Sequence, residues 1–128
     1  MKILGVGTDI VEVLRIKILI KNKSFIKRIF TKSEILNSKK TNYKANYFSK
    51  RFAAKEALMK AIGTGFTKGV NFKDICVVNN KLGRPNFKYN NKIKKLINSR
   101  FKIKNFNLFL SLSDEKNYSI AFVIIQQK

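Results

Sequence analysis

The chain has 128 residues, no histidine, one cysteine, and 28 lysines and arginines against seven aspartates and glutamates, a formal charge of +21. That length suits a single domain burying roughly two-thirds of its unfolded surface, and one cysteine excludes an intramolecular disulfide. Without histidine the commonest general base and transition-metal ligand are gone, so any metal should be hard and oxygen-liganded.

Residues from Lys2 to Val13 alternate loosely and are rich in Ile and Val, predicting a core strand whose middle is loosened by Gly5 and Gly7. From Arg15 to about Ile29 apolar positions recur at helical spacing with a break near Asn22 to Ser24, predicting two short basic helices. Thr31-Lys-Ser-Glu34 has the form of a capping box, so a helix begins there and runs to about Ser38. After an exit loop from Lys39 to Thr41, a long helix spans about Ala45 to Ile62, stopped by Gly63 and Gly65. Beyond it the pattern gives a strand over Phe72 to Val78, a turn over Asn79 to Pro85, a short strand over Asn86 to Tyr89 and a helix over Asn91 to Ser99. Strands over Phe106 to Leu112 and Tyr118 to Ile125 flank a hairpin loop from Ser113 to Asn117. The sum is one α+β domain over residues 1–128, mostly antiparallel sheet packed against one long helix and several short ones.

No apolar run approaches the roughly 18 residues of a membrane span, and the N-terminus lacks the unbroken apolar core of a signal peptide, so a soluble cytoplasmic protein is expected. Cys76, inside the apolar run Ile75-Cys-Val-Val78, reads as a buried, inert thiol. The charge calls for an acidic partner, unless it reflects a bias toward Lys, Asn and Ile. Nucleic acid, an anionic membrane and an acidic protein satisfy it equally.

In the long helix, Glu56 and Lys60 share a face. They are either a solvated i,i+4 pair worth a few tenths of a kcal/mol or two groups addressing one site. Asp9, in Gly5-Val-Gly-Thr-Asp-Ile10, is poorly suited to a strand; it either forms a local turn or needs a cation when buried. Two carboxylates beside an ammonium suit the holding of a divalent cation against a phosphorylated ligand. Arg51 and Lys55 project from an apolar arc of Tyr47, Phe48, Phe52, Ala54, Leu58, Met59 and Ile62. They either snorkel to its edge or meet an anionic ligand or a neighbouring subunit. Gly63-Thr-Gly65 with Lys68-Gly69 is a helix stop or a phosphate-binding loop, and Gly83-Arg84-Pro85 is a turn or a phosphate contact. Arg15, Lys17, Lys21, Lys23, Lys27 and Arg28 form a solvated basic face unless an acidic helix docks there.

Gly5-Val-Gly-Thr-Asp-Ile-Val11, Phe30-Thr-Lys-Ser-Glu34, Arg51-Phe-Ala-Ala-Lys-Glu-Ala57 with Lys60, and Gly63-Thr-Gly65, in this order over nearly the whole chain, resemble the holo-[acyl-carrier-protein] synthases, small phosphopantetheinyl transferases. The resemblance implies transfer of 4′-phosphopantetheine from coenzyme A to a serine of apo acyl carrier protein, releasing adenosine 3′,5′-bisphosphate. It implies Mg²⁺ held by Asp9 and Glu56 against the pyrophosphate, with water in the remaining positions. The serine proton would go to a metal-bound water or a carboxylate, Glu56 and Glu34 being the candidates, and Lys60 would neutralise charge on the pyrophosphate. Arg51 and Lys55 would lie near the nucleotide phosphates, with Gly63, Gly65, Arg84 and Pro85 completing the coenzyme A contacts. It also implies a homotrimer with sites between subunits, and docking of the acidic carrier on Arg15, Lys21, Lys27 and Arg28. The sequence departs from the family at Phe109, where many relatives have histidine, and at Arg84, where lysine is usual. The alternative from another class is a small basic RNA-binding or ribosome-associated protein. Against it, the phenylalanines fall mostly at periodic core positions and not on a stacking platform. A catalytically dead relative is the third reading.

Overall fold

A computed structural model describes residues 1–66 and 69–128. In chain order these form β1 (Ile3–Glu12), α1 (Val13–Leu19), α2 (Lys23–Ile29), α3 (Lys32–Ser38), α4 (Lys44–Ile62), a 3₁₀ turn (Phe72–Asp74), β2 (Ile75–Asn79), β3 (Pro85–Tyr89), α5 (Asn91–Phe101), β4 (Phe106–Asp114) and β5 (Tyr118–Gln127). One antiparallel sheet has the order β1-β5-β4, and β2 and β3 form a separate antiparallel pair. Among the described residues no helix is long and apolar enough to cross a membrane.

The expected elements are present, and their edges move for local reasons. The capping box forms as read: Glu34 N–H donates to Thr31 Oγ1 at 3.2 Å and Thr31 N–H to Glu34 Oε1 at 2.8 Å. Phe72 opens a 3₁₀ turn and not a strand, because Asp74 Oδ2 accepts from Asn71 N–H at 2.8 Å and tightens the chain. α5 runs on to Phe101 and closes on Lys102 in the left-handed region at φ 55°.

The expectation of an apolar arc on α4 fails in an instructive way. Burial runs almost all round the helix and takes in Ser49, Arg51 and Lys55 with the apolar side chains. α4 is thus the central rod of the domain, with Ala53, Ala57 and Ala61 on one side and Phe48, Phe52 and Leu58 in the core. β1 passes directly across it. A side chain at Gly7 would overlap the Ala57 carbonyl, and one at Gly5 would overlap that of Ala61, so the glycines bring strand and helix backbones together.

On the far side of the larger sheet Val6, Ile10, Phe109, Ile120 and Phe122 stand exposed. Register makes them one surface: Ile10 faces Ile120, Thr8 faces Phe122, and both Val6 and Phe109 face Ile124. Cys76 is half-buried, not buried, with Sγ 3.2 Å from Thr31 Oγ1 and 3.3 Å from Ser33 Oγ. It alternates outward along β2 while Ile75 and Val77 point inward.

Candidate active site

Because strand side chains alternate, Asp9 points to the same face of β1 as Gly5 and Gly7, toward α4. The close approach that the glycines permit sets its carboxylate against the last turns of α4, where Lys60 Nζ meets Asp9 Oδ1 at 3.0 Å. The Asp9 side chain is largely shielded while that of Lys60 is 56 % exposed. Glu56, one turn earlier, is half-buried. Its carboxyl is pushed above the usual range first by burial and then by the Asp9 charge, while Lys60 and Arg15 pull it down. Among the described residues no hydrogen bond reaches the Glu56 carboxylate. Glu56, Met59, Lys60, Gly63 and Gly65 line a cleft of about 320 Å³, which Gly63 enters by ending α4 at φ 87°. The structure therefore brings together five of the residues singled out in the sequence: Asp9, Glu56, Lys60, Gly63 and Gly65. Lys68 lies outside the described residues.

This donor set fits Mg²⁺. Two carboxylates from different elements converge, and Lys60 already lays a positive charge on Asp9. Only two protein ligands leave most of an octahedral shell to water and phosphate oxygens. Among the described residues there is no cluster of three or more His, Cys, Asp or Glu side chains, so a cage made wholly of protein is not on offer.

Arg51 lies elsewhere, in a groove of about 600 Å³ bordered by Ser33, Lys40, Asn79 and Lys88. Its guanidinium stacks over the Tyr47 ring at 3.6 Å, and Nη2 donates to Asn79 Oδ1 at 2.9 Å. Nη1 donates to the Tyr47 carbonyl at 3.2 Å, and Nε is buried without a partner. Asn79 escaped the sequence reading, and only its contact with Arg51, 28 positions away, marks it out. Arg84 and Pro85 sit on the β2–β3 hairpin beside Phe109, in a third recess. None of the described residues lines both the Glu56 cleft and either of these two recesses.

Glu34 and Lys55 are not brought to the cleft. They form an ion pair at 2.7 Å with neither side chain exposed at all. Lys55 Nζ also donates to the Ile29 carbonyl at 2.8 Å, and burial pushes its pKa down against the pull of Glu34. In this arrangement neither group reaches a ligand, so the catalytic reading of Glu34 and the nucleotide-contact reading of Lys55 find no surface to act through.

Arg15, Lys21, Lys27 and Arg28 are all exposed along α1, α2 and the turn between them, and Leu14 and Ile18 are exposed on α1. Arg15 also reaches the Phe52 ring at 5.7 Å and contributes to the field at Glu56, so the basic face abuts the cleft. Of the phenylalanines, Phe25, Phe30, Phe48, Phe52, Phe87 and Phe106 are buried in the core, while Phe109 and Phe122 stand exposed on the larger sheet.

The family model of the 4′-phosphopantetheinyl transferase superfamily matches residues 5–123. A holo-[acyl-carrier-protein] synthase of Pelagibacter ubique is 61 % identical over the full length of both chains. The crystal structure of the holo-[acyl-carrier-protein] synthase of Neisseria meningitidis superposes with a TM-score of 0.87 at 39 % identity, covering 98 % of this chain and all of that one. That of Bacillus anthracis, in complex with CoA (3′,5′-ADP), superposes with a TM-score of 0.82 at 32 % identity and 98 % coverage of each. With Asp9, α4 and the glycine stop of the cleft all inside the matched span, the chain belongs to the 4′-phosphopantetheinyl transferase superfamily, among the holo-[acyl-carrier-protein] synthases.

Proposed function

We propose that the protein transfers 4′-phosphopantetheine from coenzyme A to a serine hydroxyl of apo acyl carrier protein, with Mg²⁺ as the required metal. The observation that carries this reading is the convergence of Asp9, Glu56 and Lys60 at a glycine-ended cleft that abuts a basic face. Asp9 and Glu56 would hold the metal, which when bound supplies positive charge to the pyrophosphate. Lys60, held near Asp9 but largely exposed, is free to swing to a phosphate oxygen and offset the charge that builds there. The serine oxygen forms a bond to the β-phosphorus, the bond from that phosphorus to the bridging oxygen breaks, and adenosine 3′,5′-bisphosphate departs. Glu56, half-buried beside the metal position, is suited to accept the serine proton directly or through water. Arg51, steered by Asn79 at the edge of its groove, is suited to the nucleotide portion.

Two surfaces complete the proposal. Exposed Leu14 and Ile18 on α1, with exposed Arg15, Lys21, Lys27 and Arg28 along the same helix pair and its turn, offer apolar and basic contacts to an acidic helix of the carrier protein. The exposed apolar face of the larger sheet suits burial against further copies of this chain, in a homotrimer. Such an assembly gives Arg84, Pro85 and Phe109 a route to a neighbour's cleft, since none of them lines the cleft of their own chain. A cytoplasmic location follows from the proposed substrates.

The test is to incubate the protein with apo acyl carrier protein and coenzyme A, with Mg²⁺ or with a chelator, and weigh the carrier by intact mass spectrometry. The expected outcome is a metal-dependent gain of one phosphopantetheine group; no gain on a competent carrier overturns the reading.

A further inference from the structure

We infer that Glu34 and Lys55 are positioning residues that dock β2 onto α4 and thereby aim Arg51 at the nucleotide portion of coenzyme A. This rests on the transfer reading above. The pair β2–β3 is only two strands wide, so β2 has an edge with no strand beside it. At that edge Val77 N–H donates to Glu34 Oε2 at 2.9 Å, so a carboxylate does what a third strand would do. The other oxygen, Oε1, takes Thr31 N–H at 2.8 Å and Lys55 Nζ at 2.7 Å. Lys55 Nζ in turn holds the Ile29 carbonyl, so the end of α2, the start of α3, the middle of α4 and the edge of β2 meet at one buried pair. Lys55 Nζ and both Glu34 oxygens each have partners within the protein, which is the arrangement of a fixed joint and not of a proton carrier.

The joint leads to Arg51 by two short paths. Along β2, Asn79 is two residues beyond Val77 and on the same side of the strand, and its Oδ1 holds Arg51 Nη2 at 2.9 Å. Along α4, Arg51 and Lys55 are four apart and share a face. The edge of β2 and the helix that carries Arg51 are thus pinned together at Glu34, and Arg51 is clamped between Asn79 and Tyr47. Releasing the joint frees Asn79 to shift, and the guanidinium loses its aim while Asp9, Glu56 and Lys60 keep theirs.

The experiment uses the full chain with the paired variant E34Q/K55M, which removes both charges at similar volume, and N79A, which cuts the link to Arg51 together with the bond from Asn79 Nδ2 to the Gly83 carbonyl. Steady-state transfer is measured against coenzyme A and against the carrier at several pH values, and amide exchange is followed over residues 75–79. The inference expects KM for coenzyme A to rise roughly tenfold in both variants with kcat within about threefold of the parent. It also expects an unshifted pH profile, and faster exchange over residues 75–79 in E34Q/K55M. It is overturned if kcat falls about 100-fold with KM for coenzyme A unchanged, which is the signature of a lost chemical group. Unchanged exchange over residues 75–79 overturns it too, as does a KM for coenzyme A that N79A leaves at the parent value. A parent protein that neither binds coenzyme A nor modifies the carrier defeats the transfer reading instead, and the exchange measurement then still decides whether the pair holds β2.

Discussion

Helix α4 carries two lysine–carboxylate pairs of similar length, Lys55–Glu34 at 2.7 Å and Lys60–Asp9 at 3.0 Å, and they have opposite uses. At Lys55 both partners are sealed from water and every polar atom is occupied by protein. At Lys60 more than half of the side chain is in solvent and Glu56 stands by with no hydrogen-bonded partner among the described residues. Distance alone does not separate a structural pair from a functional one; solvation does. A buried pair exchanges only at the cost of stranding a charge, whereas a solvated ammonium gives way to a competing cation or phosphate with little loss.

The sharpest way to break the contrast is to remove one member of each pair. Lys55→Met strands the Glu34 carboxylate in a dry site and should cost about 3–5 kcal/mol of stability, read by denaturant unfolding. The paired change E34Q/K55M should recover a large part of that loss, since no charge is then left alone. A loss under about 1 kcal/mol for Lys55→Met would mean that water reaches the pair. Next in size is Gly7→Ala. Its methyl group has no room against the Ala57 carbonyl, so β1 must lift from α4. The expected cost is about 1–3 kcal/mol, together with a fall in transfer, because Asp9 rides on the same face of β1. A Gly7→Ala protein of normal stability and activity would show that strand and helix have slack between them.

The same contrast explains what could be read in the sequence. Thr31-Lys-Ser-Glu34 gave the start of α3 correctly because a capping box is local. The second use of Glu34 was invisible, since Lys55 lies 21 positions away and Val77 lies 43 away. Gly5 and Gly7 were legible as a disturbance of a strand, but their purpose needs α4 in place. Asp9, Glu56 and Lys60 were legible as a group through resemblance, with the spacing of Glu56 and Lys60 and an aspartate ill suited to its strand as the local signals. The arc drawn on α4 misled because a helix enclosed by sheet on one side and by helices on the other buries polar positions too. Cys76 misled because an apolar run in an edge pair still turns every second residue outward.

Lys60→Met sharpens the comparison from the solvated side. Loss of a pair with so exposed a lysine should change stability by no more than about 1 kcal/mol. Transfer should nevertheless fall roughly 100-fold, the scale of losing one charged stabiliser of a transition state. An unfolding midpoint well below that of the parent would show that Lys60 is a structural group after all.

Glu56 gives the smallest effect on stability, and its sign runs opposite to that of the buried pair. Its folded pKa is raised, first by burial and then by Asp9, so the folded protein holds the proton more tightly than the unfolded chain does. Folding is therefore favoured below the unfolded pKa and loses that advantage as pH rises through the folded one. At neutral pH the ionised Glu56 is a small burden on the fold, screened by the solvent that reaches it. Glu56→Gln should accordingly leave the protein as stable as its parent or slightly more so at pH 7, flatten the acid side of the stability profile, and abolish transfer. Thermal unfolding across pH 4 to 8 reads the first two effects and carrier mass the third. A destabilised Glu56→Gln would mean that the carboxylate is held in place by the fold, as Glu34 is.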